Sequence, residues 1–540
     1  MPTAALSTAV QISNQPLTIE NVVAVARRGQ SLGLSDDDNF RRRIERGHQA
    51  VRRALDRGEV IYGVNTGFGG NVKFLIPDSE LQHHQENLLD VLSCGVGDPY
   101  PAEVVRAAIL LRANALARGY SGVRLVVIER LIDLLNHGIT PVVPRYGSVG
   151  ASGDLCPSAY ISRVLLGRGT VFYRGEKTAA AEALRAEGIE PIRLQAKEGL
   201  ALLNGTTMMT GMAVLVAFDA EYLLRIGLGA LALAVEALKS SPDYYHPLIH
   251  MVKNHPGQLR VAEMLESLLM DSRLAVPLDE IRRRVAGQNS HNGGVVVAEE
   301  SIQSPYSLRC APQGLGPMLE ALEQVRLTVE REVNSVNDNP LVDPGDRDGD
   351  PERVFHTGNF YGGHIARAMD GLKLDMANLA NWMHSIMALL MDDRFSAGLP
   401  SCLSPHPGVF QGFKGMQVVH SSLVTALRQM SGSSLIHTLP TEQFNQDVVS
   451  LGTHASLTAL EMLRLLRDSM SIVLLSAAQA VDLRAALLQR SAAEMLGVGT
   501  RSLYRAIRER SAFLEADRPL DSDIERLSQA LEAHQLPVLR

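Results

Sequence analysis

The sequence predicts a mostly α-helical protein built around a bundle of long helices. Apolar residues recur at steps of three and four, the spacing that places them on one face of a helix. One stretch shows this clearly, with apolar residues at Leu315, Met318, Leu322, Val325, Val329 and Val333. The alternating pattern of a half-buried strand is scarce, and 169–174 is a small exception. Long amphipathic helices bury their apolar faces against one another, which indicates an all-α bundle.

The other periodic stretches give the remaining long helices in chain order. They cover residues 104–136, 208–238, 365–391, 418–430 and 454–488. Pro317 lies near the start of the stretch that contains Leu315, where a missing N–H costs little. A length of 540 residues suggests several domains. We expect an N-terminal part at 1–205, the central bundle at 206–485 and a short helical segment at 486–540.

Composition excludes several classes of protein. The chain has 52 basic and 59 acidic residues, a net charge of −7, and no block of like charge. This balance argues against a nucleic-acid scaffold or a polybasic membrane binder. The mean hydropathy of +0.02 is high for a long soluble chain, so we expect much apolar surface to be buried between subunits. The longest apolar runs, at 226–235 and 472–481, are shorter than the roughly 20 residues of a membrane-spanning helix.

Neither a secretory signal nor a cysteine framework is predicted. The N-terminal residues lack a basic region followed by a long apolar stretch, so the cytoplasm is the expected compartment. Four cysteines, Cys94, Cys156, Cys310 and Cys402, are scattered without CxxC spacing. That spacing indicates neither a disulfide framework nor a zinc site, and we expect four reduced structural thiols.

Two glycine-rich segments mark candidate ligand-binding loops. Residues 62–70, YGVNTGFGG, contain four glycines and so can bring backbone close to a ligand. This loop lacks both the GK[ST] ending and the GxGxxG spacing of nucleotide-binding loops. Residues 147–153, GSVGASG, precede a predicted helix that begins near Asp154 or Pro157. Backbone amides at a helix N-terminus stabilise negative charge.

Seven motifs carry a resemblance to a known family. They are YGVNTGFGG, GSVGASGDL, LLNGTT, YSLRCAP, SVNDNP, GNFYG and FNQDVVS, and they run in this order from residue 62 to 450. An Ala-Ser-Gly tripeptide alone is expected about 0.2 times by chance in a chain of this length. Seven ordered matches are not a coincidence. The sequence resembles the histidine and aromatic amino-acid ammonia-lyases and aminomutases, and this implies a long-helix bundle of the ammonia-lyase and fumarase type.

The resemblance implies that the chain makes its own electrophile. In that family Ala-Ser-Gly cyclises to methylidene-imidazolone, MIO, and the matching residues here are Ala151, Ser152 and Gly153. The nitrogen of Gly153, unhindered by a Cβ, attacks the Ala151 carbonyl, and Ser152 loses water to become the methylidene. No metal or nucleotide cofactor is expected, because this electrophile activates the substrate amine.

The resemblance also implies roles for individual side chains. Tyr62 matches the base that removes the β-proton of the substrate, a role that needs its phenol pKa to be lowered from about 10. Arg309 matches the group that binds the substrate carboxylate. Asn204 and Tyr306 match polar groups around the MIO carbonyl and the carboxylate. Other positions match the wall and polar network of the site, namely Gln313, Asn339, Phe360, Asn445 and Gln446. Two more are characteristic of phenylalanine-type members: Glu442, near the substrate amine, and Lys414.

Val91 and Leu92 match the two positions that select the substrate ring in this family. Both are apolar, so a buried phenol hydroxyl beside them would lack a partner, at a cost of roughly 1–3 kcal/mol. This favours phenylalanine over tyrosine and over histidine. Two alternatives stay open. His83, His84 or a bound water reaches the far end of the ring, or Val91 and Leu92 are ordinary helix core and leave the substrate undecided.

The reaction and the assembly follow from the same resemblance. An ammonia-lyase releases a cinnamate-like product, whereas an aminomutase holds it and returns the amine to the β-carbon. The segment around Glu442 and Phe444 favours the lyase. A phenylalanine or tyrosine 2,3-aminomutase and a tyrosine ammonia-lyase that makes p-coumarate are the alternatives. The expected assembly is a homotetramer whose active sites draw residues from three subunits, in the bacterial form of the phenylalanine lyases.

Two rival interpretations are weaker. The fumarase and aspartase group needs a GSSxMPxK loop, which the sequence lacks. A non-catalytic homologue would have no reason to retain the tyrosine, the tripeptide, the asparagine and the arginine together. Three positions depart from the usual family pattern, at Ser158, Ser304 and Gly363. They put the fine substrate range in doubt more than the reaction type.

Overall fold

The computed structural model describes residues 9–288, 294–345 and 352–538, and most of this part of the chain is helical. The helices of the first half are α1 Ile19–Ala26, α2 Asp38–Asp56, α3 Leu81–Val91, α4 Ala102–Ala117, α5 Leu125–Asn136, α6 Leu155–Leu165, α7 Ala180–Ala186, α8 Glu198–Leu203, α9 Thr207–Ala237 and α10 Pro247–Met251. Those of the second half are α11 Pro256–Leu269, α12 Leu278–Gly287, α13 Tyr306–Arg309, α14 Ala311–Val333, α15 Gly363–Met391, α16 Lys414–Met430, α17 Gly452–Leu487, α18 Ala492–Met495, α19 Val498–Arg508 and α20 Asp521–Glu532.

The strands are short and form small separate sheets. They are β1 Val10–Ile12, β2 Leu32–Leu34, β3 Val96–Pro99, β4 Thr140–Pro141, β5 Pro144–Tyr146, β6 Thr170–Tyr173, β7 Glu176–Ala179, β8 Leu341–Asp343 and β9 Arg353–Phe355. β1 and β2 pair in parallel, whereas β3 with β5, β4 with β6, β6 with β7 and β8 with β9 are antiparallel. The predicted fold class, mostly α with few strands, is confirmed.

Most of the long helices lie where the apolar periodicity predicts them. The stretches at 208–238, 315–333, 365–391, 418–430 and 454–488 correspond to α9, α14, α15, α16 and α17. The predicted position of Pro317 near a helix start is wrong, because α14 begins at Ala311 and Pro317 lies inside it. The single stretch predicted at 104–136 is wrong, because α4 ends at Ala117 and α5 begins at Leu125. Gly119 and Gly122 between them have φ of +81° and +70°. A left-handed backbone of this kind ends a helix, and apolar periodicity does not detect it.

The chain divides into two compact units, each made from three stretches of sequence. The first unit comprises Met1–Phe218, Val325–Asp370 and Ser433–Leu460. The second comprises Asp219–Gln324, Gly371–Gly432 and Glu461–Arg540. All strands of the described chain belong to the first unit. The three parts expected from the sequence, with boundaries after residues 205 and 485, stay a prediction.

A small apolar cluster in the first unit fixes the loop that follows α2. Ala50, Val51 and Ala54 of α2 pack with Val342 of β8 and with Ile61 and Val64, and all six side chains are buried. Ile61 and Val64 flank the glycine-rich loop at its start. Their burial holds Tyr62, which lies between them, in a defined place.

One helix of the described chain, α17, is long and apolar enough to span a membrane by length and composition alone. However, 83% of its most apolar window is buried inside the protein. A helix face that is already covered by protein cannot contact lipid. The burial of α17 is therefore typical of an internal helix in a large core.

Candidate active site

Tyr62 is held by hydrogen bonds at both its backbone and its phenol. Its N–H donates to Nε2 of His356 at 3.1 Å. Its Oη accepts the N–H of Gly69 at 2.8 Å, from the other end of the same loop. The loop therefore folds back on itself and points the Tyr62 hydroxyl at a backbone donor.

Gln85 of α3 ties this loop to α8. The side chain is fully buried. Its Nε2 donates to the carbonyl oxygen of Gly63 at 2.8 Å, and its Oε1 accepts the N–H of Leu200 at 3.0 Å. α8 ends at Leu203, so Asn204 follows directly. Through Gln85 the tyrosine loop and the segment that carries Asn204 share one anchor.

The tripeptide Ala151-Ser152-Gly153 lies against the backbone of Gly205. Gly153 and Gly205 form a parallel bridge, and the N–H of Asp154 donates to the carbonyl oxygen of Gly205 at 2.8 Å. A Cβ on Gly153 would lie 2.1 Å from that oxygen, and a Cβ on Gly205 would lie 2.2 Å from Oδ1 of Asn337. Both positions therefore require glycine.

Three donors converge on Ser152. Nδ2 of Asn204 and the N–H of Gly205 donate to its carbonyl oxygen at 3.2 and 3.4 Å. Nε2 of Gln446 donates to its Oγ at 3.1 Å. The residues present thus fit a cyclised tripeptide: Gly153 is free of side-chain obstruction at its nitrogen, and the oxygen that remains after ring closure already faces two N–H groups.

Two fully buried charges lie on either side of this contact. The Asp154 carboxylate accepts the N–H of Met209, at the start of α9, at 2.9 Å. Burial raises the pKa of Asp154 to about 6, against hydrogen bonds that favour its ionised form. Arg112 of α4 donates to the carbonyl oxygens of Asn204 and Ala201 at 2.9 and 3.2 Å. Burial lowers the pKa of Arg112 to about 10, opposed by the nearby carboxylates of Asp338 and Asp154.

Two cavities of the first unit meet at the tripeptide, and Tyr62, Ala151, Ser152, Asn204 and Gln446 line both. The larger, of about 830 Å³, is called the ring chamber here. Its further lining is mainly apolar and includes Phe68, Phe74, Ile76, Leu88, Val91, Leu92 and Leu200, with Gly153, His84 and Glu442 also at its wall.

The smaller cavity, of about 560 Å³, is called the polar chamber. Its further lining combines polar side chains, at Asn339, His356, Thr357, Asn445 and Asp447, with apolar and aromatic ones at Val60, Val72, Phe360, Tyr361 and Val448. Two chambers that share the tripeptide and a tyrosine, one mainly apolar and one with a cluster of hydrogen-bonding side chains, suit a ligand with an apolar end and a polar end.

The charges around Tyr62 are negative. Burial raises the pKa of the Tyr62 phenol, the Gly69 N–H lowers it, and the Glu442 carboxylate raises it further. Among the described residues that line the two chambers there is no lysine or arginine. The lowered phenol pKa expected for a base is therefore not reached within the chain, because burial and the Glu442 carboxylate outweigh the Gly69 N–H, which favours the phenolate.

Four of the predicted site residues, Tyr306, Arg309, Gln313 and Lys414, belong to the second unit. The Arg309 guanidinium lies 4.6 Å from the centre of the Tyr306 ring, and its Nε donates to the carbonyl oxygen of Ser304 at 3.1 Å. Tyr306 is 71% exposed. None of the four lines either chamber as described above.

Sequence reasoning missed several residues that shape the chambers. Gln85, His356 and Arg112 belong to no recognised motif. Their separation in sequence from the tripeptide gives no sign that they lie near it in space. Asp154 offered a signal, since it follows the tripeptide directly in GASGDL. Its neighbours in space, at Met209 and Thr453, are too distant in sequence to be inferred.

Comparisons with known proteins identify the family of the chain. A family model described as aromatic amino acid lyase matches residues 17–509. A hal-like protein of Dictyostelium discoideum is 42% identical over 518 residues, which cover 96% of this chain and 95% of that protein. A histidine ammonia-lyase of a Geobacillus species is 38% identical over 528 residues, covering 98% and 97%. The solved structure of Pantoea agglomerans phenylalanine aminomutase matches with a TM-score of 0.92 at 34% identity, covering 97% of this chain and 99% of that one.

The chain therefore belongs to the aromatic amino acid lyase family, as predicted. It is an enzyme of the carbon–nitrogen lyase type, with aminomutase chemistry as the alternative reaction. The family depends on MIO. Among the described residues, no group of three or more histidine, cysteine, aspartate or glutamate side chains is placed to hold a metal ion.

Replacing Gly205 by alanine tests the contact that positions the tripeptide. The new Cβ would meet Asn337 Oδ1 and the backbone behind it, so we expect Gly205→Ala to lower the free energy of unfolding by about 2 kcal/mol or more and to lower turnover strongly. Urea denaturation and steady-state kinetics measure the two effects.

The control is Gly188→Ala, which also has a positive φ, of +68° against +142° at Gly205, but open space around its Cβ position. This substitution strains the backbone without causing a clash. It should lower the free energy of unfolding by about 1 kcal/mol and leave turnover unchanged. Equal effects of the two substitutions would contradict the importance of the Gly153–Gly205 contact.

Proposed function

We propose that this enzyme eliminates ammonia from L-phenylalanine to give trans-cinnamate, with MIO formed from Ala151, Ser152 and Gly153. The observation that carries the proposal is the apolar ring chamber, which ends at the tripeptide beside Tyr62. A phenyl ring placed there has its α- and β-carbons next to the two groups that the reaction needs. The polar chamber then takes the carboxylate end of the amino acid.

MIO, once formed, supplies an electrophilic carbon for the substrate amine. The protein's part is to hold and polarise the tripeptide. The N–H groups of Asn204 and Gly205 stabilise negative charge on the Ser152 carbonyl oxygen, and they are in place before any substrate arrives. Preorganised donors of this kind need no rearrangement during the reaction.

Tyr62 is proposed as the base that takes the β-proton. Its Oη faces the N–H of Gly69, which stabilises a phenolate. The Glu442 carboxylate at the ring-chamber wall is placed to attract the substrate ammonium or to accept a proton from it. Asn339, Phe360, Asn445 and Gln446 are proposed as the wall and polar network around the carboxylate end. In this proposal Tyr62 removes the proton, and the other groups orient the substrate.

Arg309 is proposed to reach the site from another subunit of a homotetramer, accompanied by Tyr306, Gln313 and Lys414. The chambers of one chain have carboxylates at their walls and need a cation for the substrate carboxylate. An arginine also lowers the pKa of a nearby phenol, which the surroundings of Tyr62 within the chain do not. Val91, at the wall of the ring chamber, and Phe444, two residues after Glu442, are 70% and 77% exposed in the single chain. Contact between subunits would cover them.

Tyrosine is the second candidate substrate, and His84 is the reason. Its side chain lines the ring chamber and burial lowers its pKa, so that the ring is neutral near pH 7. Its Nε2 lies 2.9 Å from the carbonyl oxygen of Thr66. A carbonyl only accepts, so Nε2 carries the proton and Nδ1 is left as an acceptor, which we propose for a phenol O–H. Val91 and Leu92 in the same chamber favour phenylalanine.

Aminomutase activity is the second candidate reaction. The likeness to a phenylalanine aminomutase over nearly the whole chain supports it, while the relatives named histidine ammonia-lyases support elimination. The apolar pair Val91 and Leu92 argues against histidine as the substrate of this chain. A cytoplasmic location stays a prediction.

Intact mass spectrometry tests the prosthetic group. Cyclisation and dehydration remove two waters, so the purified chain should be about 36 Da lighter than its sequence mass. Ser152→Ala should lose turnover together with the dehydration at residue 152. Tyr62→Phe should keep the full mass deficit and lose turnover through loss of the base. An unmodified mass in an active enzyme would refute the assignment of MIO.

Product analysis with phenylalanine, tyrosine and histidine side by side tests substrate and reaction. We expect trans-cinnamate from phenylalanine as the main product, with slower turnover of tyrosine. His84→Leu should lower kcat/KM for tyrosine more than for phenylalanine, because one missing hydrogen bond is worth roughly 1–3 kcal/mol. β-Phenylalanine as the main product would show an aminomutase instead.

Co-expression of two inactive variants tests the shared active site. Tyr62→Phe and Arg309→Ala should each be inactive alone, since each removes one required group from every site. In randomly mixed tetramers about one quarter of the sites would combine an intact tyrosine with an intact arginine from another chain. We expect recovery of activity of that order.

The control pair is Tyr62→Phe with Ser152→Ala, whose residues line the same chambers of one chain. Mixing these two variants should restore nothing. Recovery in the control pair, or none in the test pair although mixed tetramers are isolated, would contradict the proposed arrangement.

A further inference from the structure

Two cysteines lie on neighbouring segments at the edge of the ring chamber. Cys156 is the second residue of α6, three positions after Gly153, and its side chain lines the ring chamber. Cys94 is exposed and lies between the end of α3, at Val91, and the start of β3. Cys156 therefore follows the tripeptide closely, and Cys94 follows Val91 and Leu92 closely.

Strand pairing brings the two segments together. Val96 of β3 pairs with Tyr146 of β5, which places Gly95 beside Gly147. A Cβ on Gly147 would lie 2.4 Å from Sγ of Cys156, and one on Gly95 would lie 3.3 Å from the same sulfur. The Cys156 sulfur thus sits over two glycines, and neither has a side chain that separates it from residue 94.

The two thiols lie close enough to influence each other. Burial raises the pKa of the Cys156 thiol to about 11, the side chain of Cys94 also raises it, and the backbone N–H of Cys94 lowers it. The N–H of Gly95 donates to Oη of Tyr160, on the same helix as Cys156, at 3.1 Å. This bond holds the turn that carries Cys94 against α6.

We propose that Cys94 and Cys156 form a reversible disulfide that weakens substrate binding in the ring chamber. The oxidant is a peroxide. The exposed Cys94 thiolate attacks a peroxide oxygen, the S–O bond forms, the O–O bond breaks, and hydroxide leaves and becomes water with the proton that the thiol released. Cys156 then attacks the sulfenic sulfur, the S–S bond forms and the S–O bond breaks, and hydroxide leaves with the thiol proton as a second water. Two thiols are oxidised to one disulfide, and one hydrogen peroxide is reduced to two waters.

The effect on the chamber follows from geometry. A disulfide holds its sulfurs about 2.05 Å apart, closer than two thiols in contact. We expect the bond to draw segment 93–95 toward α6, and Leu92 and Val91 with it. Both line the ring chamber, as does Cys156. Substrate binding should weaken more than the chemical step. This kinetic part rests on the proposed function of the chamber, whereas disulfide formation does not.

The experiment oxidises the reduced enzyme with a small excess of hydrogen peroxide, blocks free thiols with N-ethylmaleimide and maps peptides by mass spectrometry. We expect a cross-linked peptide pair that contains Cys94 and Cys156, about 2 Da lighter than the two thiol peptides together. KM should rise while kcat changes by less than about a factor of two. Dithiothreitol should restore the original KM.

Two variants make the result specific. Cys94→Ser should show the same KM as the reduced enzyme and no change after peroxide. Cys402→Ser, at a cysteine of the second unit, should behave as the unaltered enzyme. KM is measured with whichever of phenylalanine, tyrosine or histidine is turned over, so a wrong substrate assignment leaves the test intact. Sulfinic acid at Cys94 without a cross-link, or a cross-link with unchanged KM, would overturn the proposal.

Discussion

The contact between the backbones of Gly153 and Gly205 is the constraint on which the rest of the site depends. The two residues approach so closely that neither has room for a Cβ. This approach brings the N–H of Gly205 and Nδ2 of Asn204 to the Ser152 carbonyl oxygen. The same contact joins the end of α8 to the start of α6, so both chambers take their common wall from it.

Buried charges maintain this contact from outside the chambers. Arg112 holds the carbonyl oxygen of Asn204, and Asp154 accepts an N–H at the start of α9. Lys197 and Asp338, both buried, form an ion pair with Nζ and Oδ2 2.5 Å apart, and Asp338 precedes Asn339 of the polar chamber. Loss of one partner of such a pair is strongly destabilising, because the other charge remains buried. Arg112 and Lys197 are thus committed to structural contacts near the tripeptide.

Much of the fold and part of the site could be predicted from residue patterns. The helices α9, α14, α15, α16 and α17 follow from apolar periodicity, because a buried helix face must repeat every three or four residues. Tyr62, the tripeptide, Asn204 and Gln446 were each predicted from motifs, and the structure brings them to the same chambers. The break between α4 and α5 was missed, because it depends on left-handed glycines within an otherwise apolar stretch.

The sequence by itself determined the fold class, the family and the chemical groups available for the reaction, because these depend on periodicity and on local motifs. Only the tertiary structure decided which groups meet. It placed His84 in the ring chamber, made Gln85 the anchor of the tyrosine loop, and put Cys94 against Cys156. It also assigned Arg309 to the second unit. These relations join residues far apart in the chain, and their spacing in sequence carries no information about their distance in space.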